Sequence, residues 1–476
     1  PRPSRPDITF EEKMSLYFNG EKIDLLHFPH GHTDNDLVVF FRESNVIHLG
    51  DLWNSGIASF PTVDLSSGGS VTGMLQNISR LIELIPEDTP IIPGHYGLAD
   101  LESLKFTQDM LVETITLVGQ KMTSGKTLAD IKKEGFPSTY KDWGTAYTDA
   151  ETWMGNIYQG LQQEIPETVT AMQAYANKIY LNQQGFWETE LPSGHVLAYI
   201  PAGEFPMGSS KGLANERPVH QVYLDGYWMS KYPITVGQFR DFIEATGYIT
   251  DAEKGMGSWQ YWKGEWVPRK DGNWQNTYFE QGKNHPVVSI SWNDAAAYCE
   301  WLSKKTGLEF QIPTEAQWEK GARGTDKRTY PWGDHIPDGS RANYADINFW
   351  NKYDNVRPAD KTVNDGYTET SPVGSYPDGA SPFGIMDMAG NVWEWCRDVY
   401  ADDYYRLSPY KNPRGPQPSK DPAQARVNRG GSWTDRSGHI TPKGGHNLRS
   451  AARTGDEQNS SDDHMGFRIC IGSIRH

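Results

Sequence analysis

Most of the 17 tryptophans fall after residue 190, in a stretch where Gly, Pro and Asn are also frequent. A domain of that composition builds long loops and little regular structure. It holds together through aromatic packing and through loop amides that find partners. The first 180 residues read differently. Short apolar runs alternate there with helical periodicity, the pattern of an α/β layer. A chain of 476 residues also exceeds one ordinary core, so two or three domains are expected. Gln183-Gln184-Gly185 interrupts the helical pattern and marks the boundary. The expected division is 1–180, a linker over 181–192, and 193–476.

Bulk properties exclude several classes. Hydrophobic residues make up 37% and charged residues 22%, as in soluble globular proteins, and no run reaches the ~18 apolar residues of a membrane span. A net charge of −16 argues against nucleic acid, whose phosphates need a positive surface, and against anionic lipid. It suits solubility in an extracytoplasmic or saline medium, periplasmic or secreted. Cys299, Cys396 and Cys470 stand far apart. No CxxC pair exists for a zinc ribbon, and buried structural thiols are the default. The chain opens Pro1-Arg2-Pro3 without Met or signal peptide, so processing or deliberate truncation is expected to have removed what came before.

In the first part, Ser15–Phe18 and Lys22–Phe28 flank Asn19-Gly20, a two-residue hairpin signal. Leu37–Phe41, Val46–Leu49 and 90–93 read as short strands. Val71, Met74, Leu75, Ile78, Leu81, Ile82 and Ile85 form one stripe of a helix over 70–85. Leu101–Met122 and Ala150–Tyr180 have helical periodicity. Three polar motifs close the strands: Gly31-His32-Thr33-Asp34, Gly50-Asp51 and Pro93-Gly94-His95. Imidazoles and carboxylate are ligands that suit a hydrolytic zinc.

In this order, with Ser66-Ser67-Gly68-Gly69-Ser70 before the helix, the motifs resemble the second half of the metallo-β-lactamase superfamily, over residues 8–180, and Thr127–Ile131 resembles the short helical appendage of its hydrolase members. The resemblance implies half of an αββα sandwich, zinc held by His32, Asp51 and His95, and Asp51 as the residue that bridges or orients in catalysis. The implied substrate is an ester, lactam, thioester, or sulfate or phosphate ester. The His-x-His-x-Asp-His signature of the first half occurs nowhere in the chain. Half a sandwich leaves one sheet face in water, with Val38, Phe40, Val46 and Ile91 expected on it. Three explanations stay open: a separate N-terminal half that docks, loss of that half with dimerisation of the remainder, or a half lying outside this sequence. The expected partners are therefore that N-terminal half and a homo-oligomer.

In the second part, Ser291 with Asp294 and Thr314 with Gln317 predict two capped helix starts. Ile200-Pro201-Ala202-Gly203, Glu216-Arg217-Pro218-Val219-His220, Pro233-Ile234-Thr235, His285-Pro286-Val287, Pro313–Glu319, Tyr330-Pro331-Trp332-Gly333, Gly390–Trp395 and Arg429–Trp433 follow in order. This order resembles the sulfatase-modifying, formylglycine-generating family and implies a C-type-lectin-like fold. The whole chain is then α/β plus α+β. In active members two cysteines follow the Gly-Gly-Ser and bind copper; the aligned positions here hold Asp435 and Ile440. Neither replaces a thiolate. The resemblance also implies two calcium sites made of hard oxygen donors. One takes Asn343, the Tyr344 carbonyl, Asp365 and the Tyr367 carbonyl. The other takes Gly390, Asn391, Val392 and Glu394. Trp433, His439, His446, Arg449 and Arg453 are candidates for a ligand pocket. Two functions result: a zinc hydrolase completed by its missing half and carrying a calcium-binding docking module, or a non-catalytic assembly protein. An oxidoreductase of the sulfatase-modifying family using another metal is the third alternative.

Overall fold

The computed structural model describes residues 8–54, 59–144, 148–262, 265–353, 359–421, 423–435 and 447–472. The chain forms two compact units. One comprises Pro1–Gln173 and Lys178–Glu188; the other comprises Ala174–Asn177 and Thr189–His476.

The first unit opens with β1 (Lys13–Phe18) and β2 (Glu21–Phe28), joined by Asn19-Gly20. Both turn residues have positive φ, 52° and 79°, which is why that dipeptide closes a two-residue hairpin. With β3 (Asp36–Phe41), β4 (Val46–Gly50) and β5 (Ile91–Pro93) they form a sheet of order β1-β2-β3-β4-β5, antiparallel except for the β4–β5 pair. The crossover between β4 and β5 contains helix α1 (Val71–Leu84), whose N-cap Ser70 accepts from the Gly73 amide. Val71, Met74, Leu75, Ile78 and Leu81 are its buried stripe, as the periodicity predicts. Each contributes about 1.5–3 kcal/mol of burial.

α2 (Leu101–Thr123) and α3 (Leu128–Glu134) fall where the sequence places them. The helix expected over 150–180 is shorter. It ends as α4 (Ala150–Glu164), and α5 (Glu167–Met172) starts after Pro166, because a proline without N–H cannot continue the ladder. Lys178–Leu181 is then a strand, β6, and Trp187–Glu190 another, β7. The stretch read as linker therefore carries strand residues and a turn, with the Asn182 amide donating to the Phe186 carbonyl.

The expectation of an open sheet face is corrected in its residues. Val38, Phe40 and Ile91 are buried to 2% exposure or less, on one face with Ile47. Register puts Ile23, Phe41 and Val46 side by side on the opposite face, and Leu25, Val39, His48 and Ile92 beside them. None of these is fully buried. Leu16, opposite Ile23 in β1, is 43% exposed. In Leu37-Val38-Val39-Phe40-Phe41 both parities are apolar, so alternation cannot tell the packed face from the open one.

In the second unit, β8 (Val196–Ile200), β11 (Tyr227–Ser230), β14 (Phe310–Gln311) and β19 (Cys470–Ile471) run in the order β14-β19-β11-β8. A hairpin pairs β9 (Gly203–Met207) with β10 (His220–Leu224), and another pairs β12 (Ser258–Trp262) with β13 (Glu265–Arg269). β15 (Trp393–Val399), β16 (Ala425–Arg429), β17 (Arg453–Glu457) and β18 (Met465–Phe467) form a sheet of order β17-β16-β15-β18. Helices α7 (Trp292–Thr306) and α8 (Glu315–Arg323) carry the predicted capping boxes. α6 (Val236–Thr246), boxed by Thr235 and Gln238, and the short α9 (Ile347–Lys352) were not singled out from sequence.

Loops dominate, and buried charge pairs tie them down. Glu394, fully buried, accepts from Arg468 Nε at 2.6 Å, Arg468 Nη2 at 2.7 Å and Trp318 Nε1 at 2.7 Å. Arg453 holds Glu315 bidentately at 2.7 and 3.0 Å, and Arg429 meets Glu319. Such pairs are costly to break singly, because the survivor is an uncompensated buried charge.

Candidate functional site

The Gly-Gly-Ser-Trp turn after β16 organises the centre. Gly430 and Gly431 have φ of 99° and 72°, and a Cβ on Gly430 would meet Trp318 at 3.1 Å. The turn exposes Asp435 to a ring of donors. Its Oδ2 accepts from Trp393 Nε1 at 2.8 Å, the Ser432 amide at 3.0 Å and Ser432 Oγ at 3.1 Å. Its Oδ1 accepts from Asn447 Nδ2 at 2.7 Å. Asp435 also anchors through its carbonyl, which accepts from the Ala345 amide at 2.7 Å. A carboxylate so satisfied braces the turn. Ile440, His439 and His446 lie outside the described residues.

The cysteines offer no substitute thiolate. Cys299, Cys396 and Cys470 are free and buried. Burial pushes all three thiols up, Cys470 to about 12. A buried thiol in apolar surroundings is inert.

Of the other candidate pocket residues, Trp433 is fully buried in an aromatic cluster with Tyr261 and Phe349, and its indole donates to the Asp463 carbonyl at 3.3 Å. Arg449 grips Glu216 bidentately at 2.8 and 2.5 Å. Arg453, besides Glu315, donates to the Asn215 and Ala401 carbonyls.

The two calcium sets fare differently against a fit to hard cations. In the first, Asn343 Oδ1 is buried and has no hydrogen-bond partner, while its Nδ2 donates to the Glu369 carbonyl at 2.6 Å. An orphaned amide oxygen aimed away from its own donor is what a cation would satisfy. Asp365 lies beside it in the fold: its carboxylate accepts from the Tyr344 and Tyr367 amides at 2.8 and 2.9 Å. Burial still pushes it up to about 7, and the neighbouring Asp346 carboxylate acts in the same direction. Asn343 Oδ1 is the one side-chain oxygen of this set with no hydrogen-bond partner, and so the one that favours a cation.

In the second set, Glu394 spends its oxygens on Arg468 and Trp318, as above. Asn391, at φ 62°, accepts from the Ser371 amide at 3.0 Å and donates back to the Ser371 carbonyl at 3.2 Å. These side chains brace the loop as placed and do not fit a cation. Sequence reading missed Asp387, four residues before Asn391. It accepts from the Gly374 amide at 2.7 Å, burial pushes it up to about 6, and it holds a positive φ of 56°. An aspartate in a loop otherwise built of apolar residues and glycine was the available signal.

In the first unit the zinc motifs gather in two separate pairs. Gly94 packs so closely that a Cβ would meet Asp51 Oδ1 at 2.4 Å, and His95 Nε2 lies 3.2 Å from the same oxygen. His32 instead faces Asp36, Nδ1 to Oδ1 at 3.7 Å, and a Cβ on Gly69 would meet the His32 carbonyl at 2.4 Å. Among the described residues no group of three or more His, Cys, Asp or Glu is arranged to hold a metal ion. The triad of His32, Asp51 and His95 is therefore not assembled. Nor, among the described residues, is any helix long and apolar enough to cross a membrane.

Comparison with known proteins agrees with the second-unit reading. Residues 184–472 match the family described as sulfatase-modifying factor enzyme 1-like domain. The chain is 34% identical over 300 residues to the formylglycine-generating enzyme of Streptomyces coelicolor, covering 56% of this chain and 87% of that protein. It is 35% identical over 318 residues to that of Thermomonospora curvata, covering 60% and 95%. Among solved structures, PvdO from Pseudomonas aeruginosa is similar at 24% identity and a TM-score of 0.47, over 62% of this chain and 98% of that one. The family match leaves residues 1–183 outside it, so the metallo-β-lactamase half expected there gains no support.

Proposed function

Because the chain belongs to the sulfatase-modifying factor enzyme 1-like family yet carries Asp435 and Ile440 where the two copper-binding cysteines align, we propose that its second unit is a calcium-braced binding module and not a thiol-dependent oxidase. The observation that carries this reading is the engagement of Asp435. Four donors on three residues occupy its carboxylate, so the position works as a structural acceptor. The buried, protonated thiols elsewhere leave no second route to thiolate chemistry.

Calcium would be held by Asn343, the Tyr344 carbonyl, Asp365 and the Tyr367 carbonyl. Bound there, it would set a positive charge beside the buried Asp365 carboxylate. The protein's own part is to hold the loop through the Tyr344 and Tyr367 amides and through Tyr376, whose hydroxyl donates to the Asp365 carbonyl at 3.0 Å.

For the first unit no hydrolytic step is assigned. Two of three candidate ligands meet and the third does not, and a zinc centre needs more donors than His95 and Asp51. The half-exposed apolar face of its sheet is the surface that a completing half or a second copy would cover.

The test is copper titration together with incubation against a cysteine-containing sulfatase peptide. The expected result is no stoichiometric copper and no conversion of the peptide cysteine to formylglycine, in the parent chain and in Asp435→Cys alike, since Ile440 still leaves one ligand missing. Conversion by the parent chain would overturn the reading.

A further inference from the structure

The second unit contains a basic cleft whose lining includes neither Asp435 nor any residue of the Asn343–Asp365 calcium set. It opens between the end of β9, the loop after it, the C-terminal end of α8, the 327–334 turn and the segment after Leu448. Its volume is about 630 Å³, in the range of small-molecule sites and far larger than a bare ion requires.

Five cationic side chains line it: Lys211, Arg323, Lys327, Arg328 and Arg449. Three are already matched. Arg323 pairs with Glu319 at 2.8 Å, Arg328 with Asp326 at 2.9 Å, and Arg449 with Glu216. Lys211 and Lys327 are exposed and have no carboxylate partner among the described residues. Asp334 is the lining carboxylate opposed to them, and its Oδ1 is taken by the Thr329 amide at 2.9 Å and the Thr329 hydroxyl at 2.7 Å. The recess thus keeps surplus positive charge on a chain of net charge −16.

A second observation points the same way. Arg323 and Arg449 are 4% and 6% exposed, and each retains an Nε without a hydrogen-bond partner. Buried guanidinium N–H groups are seldom left unmatched. The hydroxyl of Ser210 and the apolar walls Val219 and Ala451 complete the cleft. They give an anionic head a polar end and an organic body an apolar one.

We propose that this cleft binds a small organic oxyanion, its charged head drawn by Lys211 and Lys327 and its position fixed by the arginine-braced wall. Phosphate, sulfate and carboxylate heads share the recognising chemistry. The fixed arginines hold the cleft's shape, and the two lysines provide charge that is not already spent. The site stands independently of the calcium reading, which is tested through other residues and another ion.

The experiment is isothermal titration of the full chain with sodium phosphate, glucose 6-phosphate, sodium sulfate and citrate, each against sodium chloride at matched ionic strength. At least one oxyanion is expected to bind saturably with Kd on the order of 1 mM or tighter. The phosphate, sulfate and citrate arms then name the head group. Lys211→Ala with Lys327→Ala should weaken that binding about tenfold or more, without moving the melting temperature, because both side chains are exposed. Lys211→Arg with Lys327→Arg should retain it. Equal affinity in the double alanine variant, or no saturable binding for any of the four beyond the chloride control, would overturn the proposal.

Discussion

Replacing Asp435 with alanine separates a brace from a reactive group. The substitution strips the acceptor from Trp393 Nε1, the Ser432 amide, Ser432 Oγ and Asn447 Nδ2. The hydroxyl has an alternative in Thr434 Oγ1 at 2.9 Å and Asn447 is only half-buried, so two buried donors are left orphaned. Ser432 is fully buried and Trp393 is 6% exposed. Each orphaned buried donor costs about 1–3 kcal/mol. Asp435 is itself only half-buried, so water reaches part of the gap and the total falls near 2–4 kcal/mol. For a unit of this size, about 2 °C of melting temperature accompanies each kcal/mol, giving a shift of roughly 4–8 °C. Near-ultraviolet circular dichroism follows it, since most tryptophans lie in the second unit. Asp435→Asn keeps one carbonyl acceptor and should lose about half as much. Asp435→Cys should behave like alanine, because sulfur accepts weakly. A shift under about 1 °C in both the alanine and cysteine variants would refute the brace and return Asp435 to the candidates for ligand chemistry.

Removing divalent cations with a calcium chelator should lower the melting temperature of the second unit, and added calcium should restore it; Asn343→Ala should abolish the response, read by differential scanning calorimetry. In calcium-free buffer the Asp365→Asn variant should gain stability relative to the parent as pH rises. Burial raises the folded-state Asp365 to about 7, above its unfolded value, so charging it costs nothing below about pH 4. The cost grows between about pH 4 and 7 and is constant above that; a parent–variant difference that shrinks across this window contradicts the assignment. Zinc analysis of the purified chain should give no stoichiometric zinc that depends on His32, so His32→Ala should leave metal content unchanged by inductively coupled plasma mass spectrometry. Ile78→Ala should cost the first unit about 2–5 kcal/mol, measured by urea denaturation, because that side chain is fully buried in the α1 stripe.

Local signals were legible where they depend on near neighbours. Asn19-Gly20, the stripe from Val71 to Leu81 and the boxes at Ser291 and Thr314 all specify themselves within a few residues, and the structure has each of them. The family of the second unit was legible from motif order, since aromatic and glycine positions in long loops are fixed by packing that permits few alternatives. The absence of the two thiols was plain from Asp435 and Ile440 alone.

Tertiary structure decided what depends on partners distant in sequence. Which parity of Leu37–Phe41 is packed, and that Val46 shares the open face, follow from pairing register and not from composition. That His32 turns to Asp36 while His95 meets Asp51 depends on loop approach, which Gly69 and Gly94 permit by lacking a Cβ. Whether Glu394 is a ligand or a salt-bridge partner was fixed by Arg468, 74 residues away. A motif states which groups a loop can offer; the free energy of burying charge decides which partner each group takes, and that partner comes from elsewhere in the chain.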